Sequence, residues 1–253
     1  MSEDGGACFL MAGGGTGGHV MPLLAVAREL RRRGHRPVFV GTRRGMEARL
    51  APAAGFPIEW IEIGGLKNVG LARRVRTLWQ LPSGVARAAL LIGRLRARAV
   101  FSLGGYVAGP AMLAAALRGV PVALMEPNAV PGFTNRHAGR WVARALLAFP
   151  EAARHFPAGR CEVTGMPVRE EFFAIPPKPR GEALTVLVTG GSQGSGTLNR
   201  AVREAWPLLA ASALKVRLIH QTGAAAYAEI AAAFAGAGVE GEVAPFIDDM
   251  PAA

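Results

Sequence analysis

Short apolar runs alternate along this chain with longer stretches whose apolar residues recur every three to four positions. Phe9-Leu10-Met11-Ala12, Val100-Phe101 and Val186-Leu187-Val188 are bounded by glycine and polar residues, as buried strands are. The pattern predicts strands over 7–12, 37–41, 58–63, 99–102, 122–126, 145–149 and 161–164. It predicts helices over 20–33, 46–54, 71–80, 85–98, 109–118 and 133–143. The first helix has Pro22 in its first turn, Arg31-Arg32-Arg33 in its last and Gly34 after it, the usual start and stop signals. Strand and helix in alternation imply an α/β fold, a parallel sheet with helices on both faces.

Residues 166–181 contain Pro176-Pro177-Lys178-Pro179 and read as a linker. A second α/β unit follows, with strands over 185–189, 216–220 and 242–246. The expected organisation is therefore a first domain at 1–165, a linker at 166–181 and a second domain at 182–253. Open sheets of this type usually have about five or six strands, so the second domain is expected to be incomplete.

Charge sharpens this picture. The 253-residue chain carries a formal net charge of +11. Residues 1–165 hold 22 Lys and Arg against 9 Asp and Glu, whereas residues 166–253 hold 7 against 9. Nine basic residues and no acidic one lie between Glu62 and Glu126. Such a half suits a phosphorylated substrate, an anionic membrane surface or nucleic acid. Only 7% of residues are aromatic and no nucleic-acid motif is present, so nucleic acid is not the expected partner. The stretch 71–98 mixes Trp79, Leu90, Leu91 and other apolar residues with seven arginines. It reads either as two ordinary amphipathic helices or as a surface that docks on anionic lipid. The apolar run 107–117 contains Gly109 and Pro110 and is far shorter than a membrane span. The acidic start, Met1-Ser2-Glu3-Asp4, argues against a secretory signal. Cys8 and Cys161 read as reduced thiols of a cytoplasmic protein.

Candidate chemistry concentrates in three glycine turns: Gly13–His19, Ser102–Tyr106 and Gly190–Gly194. A strand, a glycine turn and a helix start make an anion site, because glycine admits close backbone approach and free N–H groups point outward. Gly13-x-Gly15-x-x-Gly18 also matches the dinucleotide fingerprint. The second strand, however, ends in Gly41-Thr42-Arg43-Arg44 with no acidic residue, which would suit NADP at most. A second such turn at Gly190 fits two nucleotide-fold halves better than one dehydrogenase site. His19, directly after the first glycines, reads as a surface polar residue or as a base beside a phosphate or sugar. A helix N-terminus would keep it neutral. After the fifth strand, Asn128 could hold a sugar hydroxyl and Arg136 a phosphate. No carboxylate cluster suggests a metal, and no cofactor is expected.

Together these residues resemble one family. Gly14-Gly15-Thr16-Gly17-Gly18-His19-Val20-Met21-Pro22, Ser102-Leu103-Gly104-Gly105-Tyr106 and Gly190-Gly191-Ser192-Gln193-Gly194 are similar to the three glycine loops of the bacterial N-acetylglucosaminyltransferases that make lipid II of peptidoglycan. Asn128-Ala129-Val130-Pro131-Gly132, Pro167-Val168-Arg169 and Phe246-Ile247-Asp248-Asp249-Met250 extend the resemblance over essentially the whole chain. Two departures are single changes. Glu126-Pro127-Asn128 stands where the family has Glu-Gln-Asn, and Gly165-Met166-Pro167-Val168-Arg169 where it has Gly-Asn-Pro-Val-Arg. The family's acidic ribose contact, Gln-rich sugar loop and final helix follow the last of these motifs, so the resemblance is to a C-terminally shortened member. Weak binding of the UDP-sugar is the corresponding expectation.

The resemblance implies a GT-B type fold, two Rossmann-like doubly wound domains, of which the second is incomplete here. It implies an inverting transfer of N-acetylglucosamine from UDP-N-acetylglucosamine to the muramoyl 4-hydroxyl of polyprenyl-diphosphate-linked muramoylpentapeptide, lipid I. The implied place is the cytoplasmic face of the plasma membrane, peripherally attached. Arg169, Ser192 and Gln193 with its glycine turn would hold the diphosphate, and Ile247 the uracil. Thr16, Gly17, Gly18, Tyr106 and Asn128 would line the acceptor and sugar side, with His19 near the reacting hydroxyl. Another GT-B lipid glycosyltransferase, or a non-catalytic membrane-docked piece, remain as alternatives.

Overall fold

The computed structural model describes residues 6–15, 17–64, 71–176 and 183–253. Thr16 and the 177–181 part of the expected linker lie outside the described residues. The chain divides into two compact units, 1–169 and 170–253.

The first unit is built on a seven-stranded sheet. Its strands are β1 (Cys8–Gly13), β2 (Arg36–Gly41), β3 (Ile58–Trp60), β4 (Ala99–Gly104), β5 (Val122–Glu126), β6 (Arg144–Leu147) and β7 (Cys161–Val163). They lie in the order β3-β2-β1-β4-β5-β6-β7, and every pairing is parallel. The helices are α1 (Gly17–Arg32), α2 (Glu47–Ala53), α3 (Leu71–Leu95), α4 (Ala108–Leu117) and α5 (Phe133–Ala138).

The strand period of two sorts the core onto both faces of the sheet. Leu10, Val40, Val100 and Leu124 point to one face and pack with Ala88, Leu91 and Ile92 of α3 and Ala111, Met112 and Ala115 of α4. Met11, Phe39, Phe101 and Met125 point to the other and pack with Val20, Leu23, Leu24 and Ala27 of α1 and Ala51 of α2. Each Val, Leu, Ile, Phe or Met side chain among them contributes about 1.5–3 kcal/mol on removal from water. The sheet is doubly wound: the strand order reverses between β1 and β4, and sheets of this kind bind ligands at the carboxyl ends of the strands flanking that point.

Three expectations change. The sequence reads Pro82-Ser83-Gly84 as a break, yet α3 runs unbroken from Leu71 to Leu95 with Pro82 inside it. Gly84, Ala88, Leu91 and Ile92 are buried at helical spacing, and that stripe holds the helix through the proline. Gly84 itself allows a close crossing, since a Cβ there would sit 3.4 Å from Pro110 of α4. The helix predicted over 133–143 is α5 followed by a 3-10 turn at Gly139–Trp141. There the ring of Phe156 occupies the place of a Cβ on Gly139. The strand predicted over 58–63 is only β3, because β2 offers it partners over Phe39–Gly41 alone.

The second unit contains β8 (Leu184–Thr189), α6 (Gly196–Ala210), β9 (Val216–Gln221), α7 (Ala224–Phe234) and β10 (Glu240–Ala244). Its three strands are parallel in the order β10-β9-β8. Trp206, Leu218 and Ile230 centre its core, and Trp206 meets Phe234 edge-on at 5.3 Å between ring centroids. Truncating that tryptophan to alanine is worth roughly 3–5 kcal/mol.

Candidate functional site

In the first unit the glycine turns after β1 and β4 lie against each other at the point where the winding reverses. Gly15 and Gly105 have φ of 93° and 84°, open to glycine at little cost. A Cβ on Gly105 would fall 2.8 Å from the Gly14 carbonyl oxygen, and one on Gly15 would fall 3.0 Å from the Tyr106 ring. The two turns are thus packed backbone to backbone, with Tyr106 laid beside Gly15.

A residue that sequence reasoning passed over stands behind them. Glu47, the first residue of α2, is fully buried. Its Oε2 accepts the Gly15 N–H at 2.9 Å. Its Oε1 accepts the Thr42 N–H at 3.0 Å and faces the Thr42 hydroxyl at 3.2 Å. Thr42 Oγ1 in turn lies 3.0 Å from the Tyr106 hydroxyl. The general reading of a glycine turn leaves its N–H groups to a ligand. Here the Gly15 N–H is already bonded to a carboxylate. The available signal was a lone glutamate opening α2 just after Gly45, 32 residues from the Gly15 that it holds.

His19 sits half-buried in the first turn of α1, after Gly17 and Gly18. Burial lowers its imidazole pKa below the ordinary 6.5, while the Glu126 carboxylate pulls the other way. The direction agrees with the sequence expectation, and its first cause is loss of water on burial.

Glu126 ends β5 and is also fully buried. Its Oε1 accepts both the backbone N–H and the Nδ2 of Asn128, each at 2.9 Å. Its Oε2 accepts the Nδ2 of buried Asn135 at 2.8 Å. With Nδ2 committed to Glu126, exposed Asn128 offers its Oδ1 as an acceptor. Asn135 is held against Gly104, whose absent Cβ would collide with its side-chain amide at 2.5 Å. Glu126 and Asn135 were not singled out from sequence, because an acid ending a buried strand looks like any strand terminus. Arg136 lies exposed on α5. The structure therefore gathers Gly17, Gly18 and His19, at the start of α1, with Tyr106 and Asn128 on the loops after β4 and β5, at one edge of one sheet.

Arg169 closes the first unit, half-buried. In the second unit the turn Gly190–Gly194 packs on the turn after β9. A Cβ on Gly194 would lie 1.9 Å from the Thr222 carbonyl oxygen, and one on Gly223 2.2 Å from that of Gln193. Ser192 is half-buried and Gln193 exposed. Ser195 then caps α6, its hydroxyl accepting the Leu198 N–H at 3.4 Å. Gln221, at the end of β9, joins this turn to the loop after β10. Its Nε2 donates to the Gly191 carbonyl at 2.8 Å and its Oε1 accepts the Ile247 N–H at 3.0 Å. Beneath it, Asn199 Oδ1 lies 3.1 Å from His220 Nε2, and Asn199 Nδ2 donates to the Thr222 carbonyl at 2.9 Å. Burial lowers the pKa of His220.

Family models match segments of both units. The glycosyltransferase family 28 N-terminal domain matches residues 9–147, and the family 28 C-terminal domain matches residues 185–253. The UDP-N-acetylglucosamine--N-acetylmuramyl-(pentapeptide) pyrophosphoryl-undecaprenol N-acetylglucosamine transferase of Solibacter usitatus is 61% identical over 98% of this chain and 68% of its own length. The protein of the same name from an Anaeromyxobacter species is 44% identical over 97% of this chain and 65% of its own. The crystal structure of Acinetobacter baumannii MurG is similar with a TM-score of 0.72 at 34% identity, covering 97% of this chain and 69% of that one. The chain thus spans about two thirds of the length of these relatives.

Proposed function

The chain belongs to glycosyltransferase family 28, among its UDP-N-acetylglucosamine--N-acetylmuramyl-(pentapeptide) pyrophosphoryl-undecaprenol N-acetylglucosamine transferases, and from that membership we propose how its residues divide the reaction. The protein transfers N-acetylglucosamine from UDP-N-acetylglucosamine to the muramoyl 4-hydroxyl of lipid I, giving lipid II. Residues 1–165 take the acceptor, 182–253 take the nucleotide sugar, and 166–181 join them.

The reaction is a single displacement with inversion. His19 accepts the proton of the 4-hydroxyl. The freed oxygen attacks the anomeric carbon, and the bond to the UDP β-phosphate oxygen breaks. His19 suits the role because burial lowers its pKa, so it is neutral and able to take a proton near pH 7. The leaving diphosphate meets the Gly190–Gly194 turn, Ser192, Gln193, the start of α6 and Arg169. Ile247, tied by its N–H to Gln221, faces the uracil. Gly17, Gly18, Tyr106 and Asn128 line the acceptor and sugar side together with Thr16.

Membrane contact comes through α3. Trp79 and Leu90 are 81% and 66% exposed, and eleven residues, about three helical turns, separate them, so they share one face. Among the described residues no helix is long and apolar enough to cross a membrane. The proposed attachment is peripheral, on the cytoplasmic leaflet, through these side chains and the arginines around them.

The observation that carries this reading is the gathering of His19 at the start of α1 with Tyr106 and Asn128 on two loops at the carboxyl edge of one doubly wound sheet. The test is transfer from labelled UDP-N-acetylglucosamine to a lipid I analogue by the full-length protein, with a diacylglycerol acceptor as the competitor. Sugar on the diacylglycerol alone would replace this substrate assignment; sugar on neither would remove the catalytic one.

A further inference from the structure

We propose that Glu47 is a positioning residue: through Thr42 it fixes the direction of a hydrogen-bond chain that ends at Tyr106, so the Tyr106 oxygen receives a proton donor of the acceptor substrate, a sugar hydroxyl or an amide N–H, and not a phosphate oxygen. This rests on the reading of that edge as the acceptor side.

The direction follows from counting protons. Backbone N–H groups can only donate. The Gly15 and Thr42 amides therefore hold both oxygens of Glu47 in the acceptor role. The Thr42 hydroxyl has one proton, and its contact with Oε1 directs that proton to the carboxylate. At the 3.0 Å contact between Thr42 Oγ1 and the Tyr106 hydroxyl, the donor must then be the phenol. Its single proton faces the protein, and only lone pairs face the ligand. An ionised phosphate brings no proton and would meet those lone pairs unfavourably.

The chain is built in. Glu47 and Thr42 are buried, and Gly14, Gly41 and Gly45 leave room for the carboxylate. A Cβ on any of the three would lie within 2.5 Å of the Glu47 side chain. Gly15 carries the bonded amide on one side and the Tyr106 ring on the other. A glutamine at position 47 would set an NH₂ against an N–H or the hydroxyl, and the order of donors would be lost.

The test uses the full-length protein and the variants Glu47→Gln, Thr42→Val, Tyr106→Phe and the Glu47→Gln/Tyr106→Phe pair. Each single change should raise the acceptor KM about tenfold and leave the UDP-N-acetylglucosamine KM within about twofold. The double variant should be no worse than the worse single, since both act through one oxygen. Thr42→Val keeps the proposal testable if Glu47→Gln does not fold. Methylating the acceptor group that meets Tyr106 should weaken wild-type binding and leave Tyr106→Phe unaffected. Defects that multiply, or KM values that rise together for both substrates, would overturn the chain through Glu47. A wild type that glycosylates no lipid I analogue would instead overturn the functional reading beneath it.

Discussion

Glu126 grips Asn128 twice, its Oε1 accepting the backbone N–H and the side-chain Nδ2 at 2.9 Å each. The same carboxylate also raises the pKa of His19 against the effect of burial. One buried acid thus orients the polar loop after β5 and tempers the imidazole at the start of α1.

Replacing Glu126 with Gln should move the His19 pKa further down, because burial then acts without the opposing charge. An NMR titration of the His19 ring checks this. An unchanged or higher value would separate Glu126 from His19.

His19→Ala in the full-length protein should lower turnover by about 10²- to 10⁴-fold, the usual contribution of a general base. Thermal unfolding should register a loss of about 1 kcal/mol or less, since His19 is only half-buried. The lowered pKa places the acid limb of the wild-type rate profile below pH 6.5. A rate loss under about tenfold with unchanged stability would leave His19 a binding residue.

His220 makes the second unit sensitive to acid. Its folded pKa is depressed, so the unfolded chain binds the proton more readily than the folded one. The stability is fully present above the ordinary value of 6.5 and is lost as pH falls through the lower folded value. Urea midpoints should drop between about pH 7 and about pH 5, and drop less in His220→Gln. Equal drops in both proteins would assign the effect to other groups.

The protein should sediment with vesicles containing anionic lipid, and less so as salt shortens the Debye length below about 8 Å. Trp79→Ala should weaken binding at every salt concentration, because it removes an exposed apolar contact rather than a charge. Equal sedimentation with neutral vesicles would leave the arginines of 71–98 without a role in docking.

Much of this architecture was legible in the residues. The apolar runs marked the strands of the first sheet, and the glycine turns marked where strand gives way to helix. What escaped has a common cause. Glu47 binds main-chain amides of Gly15 and Thr42, and an amide partner leaves no trace in side-chain chemistry. Gln221 likewise works through the Gly191 carbonyl and the Ile247 amide. Local composition also misled at Pro82, where a buried stripe of small and apolar residues outweighs a helix breaker. Propensity is local, whereas packing is decided by residues far apart in the chain.

The mould of Gly14, Gly41 and Gly45 around the Glu47 side chain changes what counts as a transplantable part. Moving Gly13–His19 alone onto another Rossmann scaffold would carry the loop without the group that holds Gly15. The portable unit is two segments, 13–19 and 41–47, and a graft of either without the other would arrive with an empty glycine pocket or a carboxylate that has nowhere to sit.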